Sequence, residues 1–147
     1  MAAGNFVPYA KFVFHTQRQA FDFLGATIKA LLLANAHTPN MNGHEFLSDI
    51  VANEIADAGY VRQSLSGKTI TQDGSNRTVY DADDVDFGNA VSLTARYMAL
   101  FLDTTVAGTS KLMGLIDLNN GGSTAVSSTN SDFDIGFNAA GIYRITP

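Results

Sequence analysis

The side chains best able to do chemistry are the aspartates of Asp81-Ala82-Asp83-Asp84-Val85-Asp86 and three histidines, His15, His37 and His44. Asp81, Asp83, Asp84 and Asp86 could offer several oxygens to a hard cation, and Ca²⁺ is the cation such a run suits. The spacing departs from a calcium-binding EF-hand loop, because no glycine follows at the turn position and no glutamate closes the run. A solvated turn between strands accounts for the same residues, so the four aspartates stand only as weak candidates. The sequence otherwise nominates no metal or cofactor. None of the histidines belongs to a His-x-x-x-His or Glu-x-x-His pair, the spacings that place zinc ligands on one helix face. His37 and His44 flank the Thr38-Pro39-Asn40 turn and can approach one another in space. The commoner outcome for such loop imidazoles is a hydrogen bond to the backbone.

Nucleophilic catalysis has no visible apparatus. There is no Gly-x-Ser-x-Gly elbow and no cysteine. Nothing singles out two carboxylates as a glycosidase pair. Asn120-Gly121-Gly122-Ser123 lacks the lysine and helix start that a phosphate loop requires. Asn76-Arg77-Thr78 fits a glycosylation sequon, which chance explains as well. The chain therefore reads as a protein that is not an enzyme. Its remaining concentration of binding chemistry is aromatic: Phe6, Tyr9, Phe12, Phe21 and Phe23, with Phe14, crowd the first 25 residues. Such rings either enter the core of their own domain or anchor an arm on a neighbouring subunit. Both readings stand, and these five are the candidate partner-binding residues.

The elements that must position these residues are mostly strands. Residues 1–25 read as an N-terminal arm with a first strand at Lys11–Thr16, and residues 26–147 as a β domain. Phe133, Ile135 and Phe137 alternate with Asp132, Asp134, Gly136 and Asn138, a half-buried strand; Ile142–Ile145 would close a hairpin with it. Val91, Leu93, Ala95, Tyr97, Ala99 and Phe101 form a second period-two series, wet at its start and apolar on both faces at its end. Further strands are expected at Thr27–Asn35, Lys68–Gln72, Arg77–Ala82 and Leu112–Leu118. Turn-forming Gly, Asn, Asp and Ser separate them. Gly121–Asn130 is either an exposed loop or a Ser/Thr-rich edge strand. His44–Val51 carries Phe46, Leu47, Ile50 and Val51 on one helical face and predicts a short helix over one end of the sheets. The expected fold is thus mostly β, an antiparallel β-sandwich or barrel-like module with one short helix.

Bulk properties narrow the function classes. A length of 147 residues suits one domain, and 46% apolar against 16% charged residues suits a globular core. A net charge of −5 weighs against contact with nucleic acid phosphates. The apolar run around Ala30–Ala34 is far shorter than the roughly 20 residues of a membrane helix. The first residues, Met1-Ala2-Ala3-Gly4-Asn5, lack the charge and apolar stretch of a signal peptide, so synthesis in the cytoplasm is expected.

Several motifs, taken in order, resemble a family of small tailed-bacteriophage virion structural proteins. They are Thr27-Ile28-Lys29-Ala30-Leu31-Leu32, Thr38-Pro39, His44-Glu45-Phe46-Leu47-Ser48-Asp49-Ile50, Asn53-Glu54-Ile55 and Gly59-Tyr60. Lys68-Thr69-Ile70-Thr71, Asp81-Ala82-Asp83-Asp84-Val85, Thr94-Ala95-Arg96-Tyr97, Asp103-Thr104 and Phe137-Asn138-Ala139-Ala140-Gly141-Ile142 follow. The resemblance spans residues 26–146; the first 25 depart from the family pattern, which often opens on a helix-like segment. It implies a capsid decoration (cement) protein on the outer surface of the virion. Its partners would be the major capsid protein and further copies of itself. A tail or head-fibre component and a carbohydrate-binding module are the alternatives.

Overall fold

The computed structural model describes residues 3–147. The chain runs β1 (Phe6–Pro8), α1 (Ala10–Gln17), β2 (Ile28–Leu33), two 3₁₀ turns (Leu47–Asp49 and Val51–Asn53), β3 (Gln63–Ser64) and β4 (Thr69–Gln72). It continues through β5 (Thr78–Asp81), β6 (Val85–Asp86), β7 (Thr94–Ala95), β8 (Tyr97–Leu102) and β9 (Leu112–Asp117). It ends with β10 (Val126–Ser127), β11 (Asp134–Ile135) and β12 (Tyr143–Ile145). Every pairing between these strands is antiparallel. A five-stranded sheet has the order β1-β9-β8-β2-β3 and a three-stranded sheet the order β12-β5-β4; β10-β7 and β11-β6 are two-stranded ribbons. The fold is mostly β and sandwich-like, as the sequence implies.

The centre of the large sheet is made by β2, β8 and β9. Ala30–Leu33, Met98–Phe101, Leu112 and Met113 are fully buried, so these strands are covered on both faces. That is why their sequences run apolar without alternation. Phe12 on α1 lies edge-on to Phe21, Tyr80 and Tyr143, with ring centroids 4.9, 6.3 and 5.6 Å away. Because Tyr80 is on β5 and Tyr143 on β12, this aromatic group ties the helix to the three-stranded sheet.

Four local expectations are corrected. Lys11–Thr16 is helical rather than a strand: Phe12 and His15, three residues apart, are buried, while Val13 and Phe14 face solvent. The Arg18 guanidinium lies over the exposed Phe14 ring, a contact between helical neighbours four apart. His44–Val51 is not an α-helix but leads into the 3₁₀ turns, in which Ile50 N–H donates to Leu47 C=O and Asn53 N–H to Ile50 C=O. Asp49 sets that geometry by accepting from the Glu45 and Phe46 amides at 2.8 and 2.9 Å. Those two bonds hold its carboxyl below the usual range. The Val91–Phe101 series breaks at Arg96, which is buried between β7 and β8 and ion-paired to Asp117. Finally, β11 and β12 do not form a hairpin, because β11 pairs with β6 and β12 with β5. Gly141, at φ 96° and facing Val79, turns the chain from one sheet to the other; a Cβ there would lie 2.4 Å from Val79.

Gly114 lets β1 join the sheet. A Cβ at this position in β9 would sit 2.1 Å from the Phe6 ring and 2.6 Å from the Val7 carbonyl. Strand glycine serves here as the site of close approach. Gly114→Val should destabilise the protein by about 3 kcal/mol, with amide exchange accelerating first across residues 4–9. Protection of those amides equal to wild type would refute the assignment.

Candidate functional site

The five aromatic candidates all belong to this chain's own structure. Tyr9, Phe12, Phe21 and Phe23 are buried in the same core as the strands, and Phe6 is half-buried against Tyr143. Of the two readings open to these rings, packing on their own domain is the one realised. The segment is not a free arm: Phe6–Pro8 pairs with Gly114–Ile116, and the amide of Ala10 donates to Met41 C=O. Met1 and Ala2, the first two residues of the expected arm, lie outside the described residues.

The acidic candidates do not converge. Asp81 accepts from the neighbouring Ala82 amide, Asp83 from the Ser66 hydroxyl, Asp84 from the Phe137 amide and Asp86 from the Gly88 amide. Each carboxylate thus braces a different loop. Among the described residues no three histidine, aspartate or glutamate side chains gather as a metal group. Across the β6–β11 ribbon, Asp86 faces Asp134. Loss of solvent around Asp134 and the Asp86 carboxylate beside it raise the Asp134 pKa.

Two hollows flank β1, and the sequence pattern gave no sign of either. On one side a cleft of about 450 Å³ opens between β1 and β12, each the outermost strand of its sheet. Asn5, Phe6, Arg77, Asn138, Tyr143 and Arg144 line it. Arg77 is paired to Asp73 at 2.7 Å; Arg144 is exposed and has no ion-pair partner among the described residues. In an antiparallel ladder alternate residues turn their backbone outward. The Tyr9 amide bonds to Met113 across the ladder, so Phe6 turns its N–H and C=O away from β9, while Pro8, which has no N–H, offers only its carbonyl. On the other side of β1, Val7, Pro39, Met41, Tyr97 and Leu115 line an apolar groove of about 330 Å³. Val7 is half exposed there. The combination suits binding of a polypeptide: an unpaired strand edge, the Arg144 guanidinium, and an apolar groove alongside.

The histidines separate into two settings. His15 bonds through Nε2 to the Glu45 carboxylate at 2.8 Å. His37 and His44 come together with ring centroids 5.8 Å apart, and Tyr97 packs edge-on against His37. Among the described residues neither His37 Nε2 nor His44 Nδ1, both buried, meets a hydrogen-bonding group, contrary to the expected bond to backbone. Burial, and then the neighbouring His44, lower the His37 pKa against the raising effect of the Asn53 side chain.

No family model, curated protein or solved structure matches this chain.

Proposed function

We propose that this chain is a structural protein of a tailed-bacteriophage virion, a capsid decoration (cement) protein that binds and stabilises the shell of major capsid protein from outside. The observation that carries the reading is the ordered series of family-like motifs between residues 26 and 146. Their placement supports it, since they fall at joints of the scaffold. Lys29 in the first motif is ion-paired to Asp103 in a later one at 2.7 Å. Tyr60 of Gly59-Tyr60 bonds to the Leu32 amide and to Glu54 of Asn53-Glu54-Ile55. Motifs placed at such joints support a scaffold role.

Attachment would use the flanks of β1, where an extended segment of a capsid subunit can add to the strand edge while apolar side chains enter the groove. Many symmetric copies acting together make modest single contacts sufficient. The test is quantitative mass spectrometry of purified particles of the encoding phage. A copy number set by the symmetry of the capsid is expected, with loss of the protein leaving shells that rupture at lower temperature. A handful of copies per particle would overturn the cement reading in favour of a tail or fibre component. Absence from particles, with glycan binding by the isolated protein, would favour a carbohydrate-binding module.

A further inference from the structure

We infer that Tyr9, His37 and His44 form a buried site for a divalent transition-metal ion, with the two imidazoles as its principal ligands. Among the described residues, four buried side-chain nitrogen or oxygen atoms meet no protein donor or acceptor. Three of them are Tyr9 Oη, His37 Nε2 and His44 Nδ1. Buried polar atoms are normally satisfied, so a cluster of unsatisfied ones points to something they share. The rings are placed for it. His37 and His44 have centroids 5.8 Å apart, and Tyr9 and His44 have centroids 6.3 Å apart. With metal–nitrogen bonds of about 2 Å, two imidazoles on one ion have centroids about 5 to 6 Å apart.

The surroundings enclose the pair and hold it in place. His37 is only 4% exposed, and Tyr97 packs edge-on against it. Short local bonds fix the loop that carries the pair: His37 N–H donates to Ala34 C=O, and His44 N–H to Asn40 C=O. Tyr9 is fixed from the other side through its amide bond to Met113. Among the described residues no three histidine, aspartate or glutamate side chains gather there; Asp49, whose charge acts on Tyr9 and His44, is engaged by the Glu45 and Phe46 amides. The phenol of Tyr9 and solvent therefore complete the coordination. Imidazole ligands select zinc, nickel or copper over calcium and magnesium. The same ion would clamp the N-terminal segment to the loop between β2 and the 3₁₀ turns. The inference does not depend on the virion assignment.

The experiment uses the full chain without an affinity tag, titrated calorimetrically with Zn²⁺, with Ca²⁺ and Mg²⁺ as controls, and with Co²⁺ for its visible spectrum. One zinc per chain is expected, raising the melting temperature and leaving Ca²⁺ and Mg²⁺ without effect. His37→Gln and His44→Gln should each weaken zinc binding by about tenfold or more, while His15→Gln leaves it unchanged. If His37→Gln does not fold, His44→Gln and the Co²⁺ spectrum of the wild type decide. No zinc uptake by the folded wild type, the outcome expected if solvent alone occupies the site, overturns the inference. So does zinc binding that survives His44→Gln.

Discussion

Phe12→Ala is expected to lower the stability of the protein by about 4 kcal/mol, a fall of roughly 10 °C in melting temperature for a chain of this size. Phe12 is 1% exposed and meets the rings of Phe21, Tyr80 and Tyr143, which belong to the following loop, β5 and β12. Truncation removes both the buried area of the ring and its edge-to-face contacts. The rigid rings around it cannot close the space, because each is held from elsewhere in the core. Phe14→Ala, two residues on, is the control: that ring is 48% exposed, so its loss should cost well under 1 kcal/mol. Urea melts of the two variants, read by near-ultraviolet circular dichroism, make the comparison. A period-two strand with Phe12 and Phe14 on one face predicts equal losses, and equal losses would sink the helical assignment. The same burial bears on the N-terminal segment as a whole. An arm that docks on a partner could be removed from a folded domain. Deleting residues 1–9 instead removes β1 and the fully buried Tyr9, so it should destabilise the domain itself.

What could be read from the chain followed from how each pattern arises. Ile28–Leu33 and Leu112–Asp117 are strands buried on both faces, and runs dominated by Leu, Ile and Met leave little else for them to be. The alternation of Phe133 and Ile135 with Asp132 and Asp134 was equally legible, since one face is wet. The first 25 residues misled because Phe12-Val13-Phe14 has strand composition, and composition outweighed the three-residue spacing of Phe12 and His15 that marks the buried face. At residues 44–51 the apolar spacing was right for Leu47 and Ile50. The turn type depended on where the Asp49 carboxylate would point, which no periodicity encodes. Pairing partners such as β12 with β5 depend on contacts distant in sequence, hence the mistaken hairpin. The cleft beside β1 was hidden for the same reason: Arg77 and Arg144 are 67 positions apart and meet only through that pairing. Proximity of His37 and His44 was open to sequence reasoning because a short turn joins them, whereas the approach of Tyr9 was not.

Glu54→Ala should cost about 3 kcal/mol, because three hydrogen bonds from two side chains meet on one carboxylate. Arg62 donates to both of its oxygens, from Nε at 2.7 Å and Nη2 at 2.6 Å, and Tyr60 Oη donates to Oε1 at 2.7 Å. The Tyr60 hydroxyl in turn accepts the Leu32 amide at 3.0 Å, inside the central sheet. Burial raises the Tyr60 pKa and the Glu54 hydrogen bond to it acts in the same direction, so the phenol stays protonated as the donor. The Arg62 guanidinium, held more firmly protonated by Glu54, also lies 5.6 Å from the Phe101 ring centroid. Removing the carboxylate leaves a cation and a phenol facing one another without their shared acceptor. The figure is placed at the low end for a broken buried pair because the Arg62 side chain is 31% exposed and water can reach it. Glu54→Gln keeps the shape and one acceptor oxygen, and should cost about half as much. Pairing Glu54→Ala with Arg62→Met in a double-mutant cycle isolates the ion pair from the phenol. Since the double variant no longer strands the cation, it should recover about 1 kcal/mol relative to the sum of the single losses. Strict additivity would mean that Glu54 acts chiefly through Tyr60. In that case Tyr60→Phe, which strands the Leu32 amide, should reproduce most of the loss on its own.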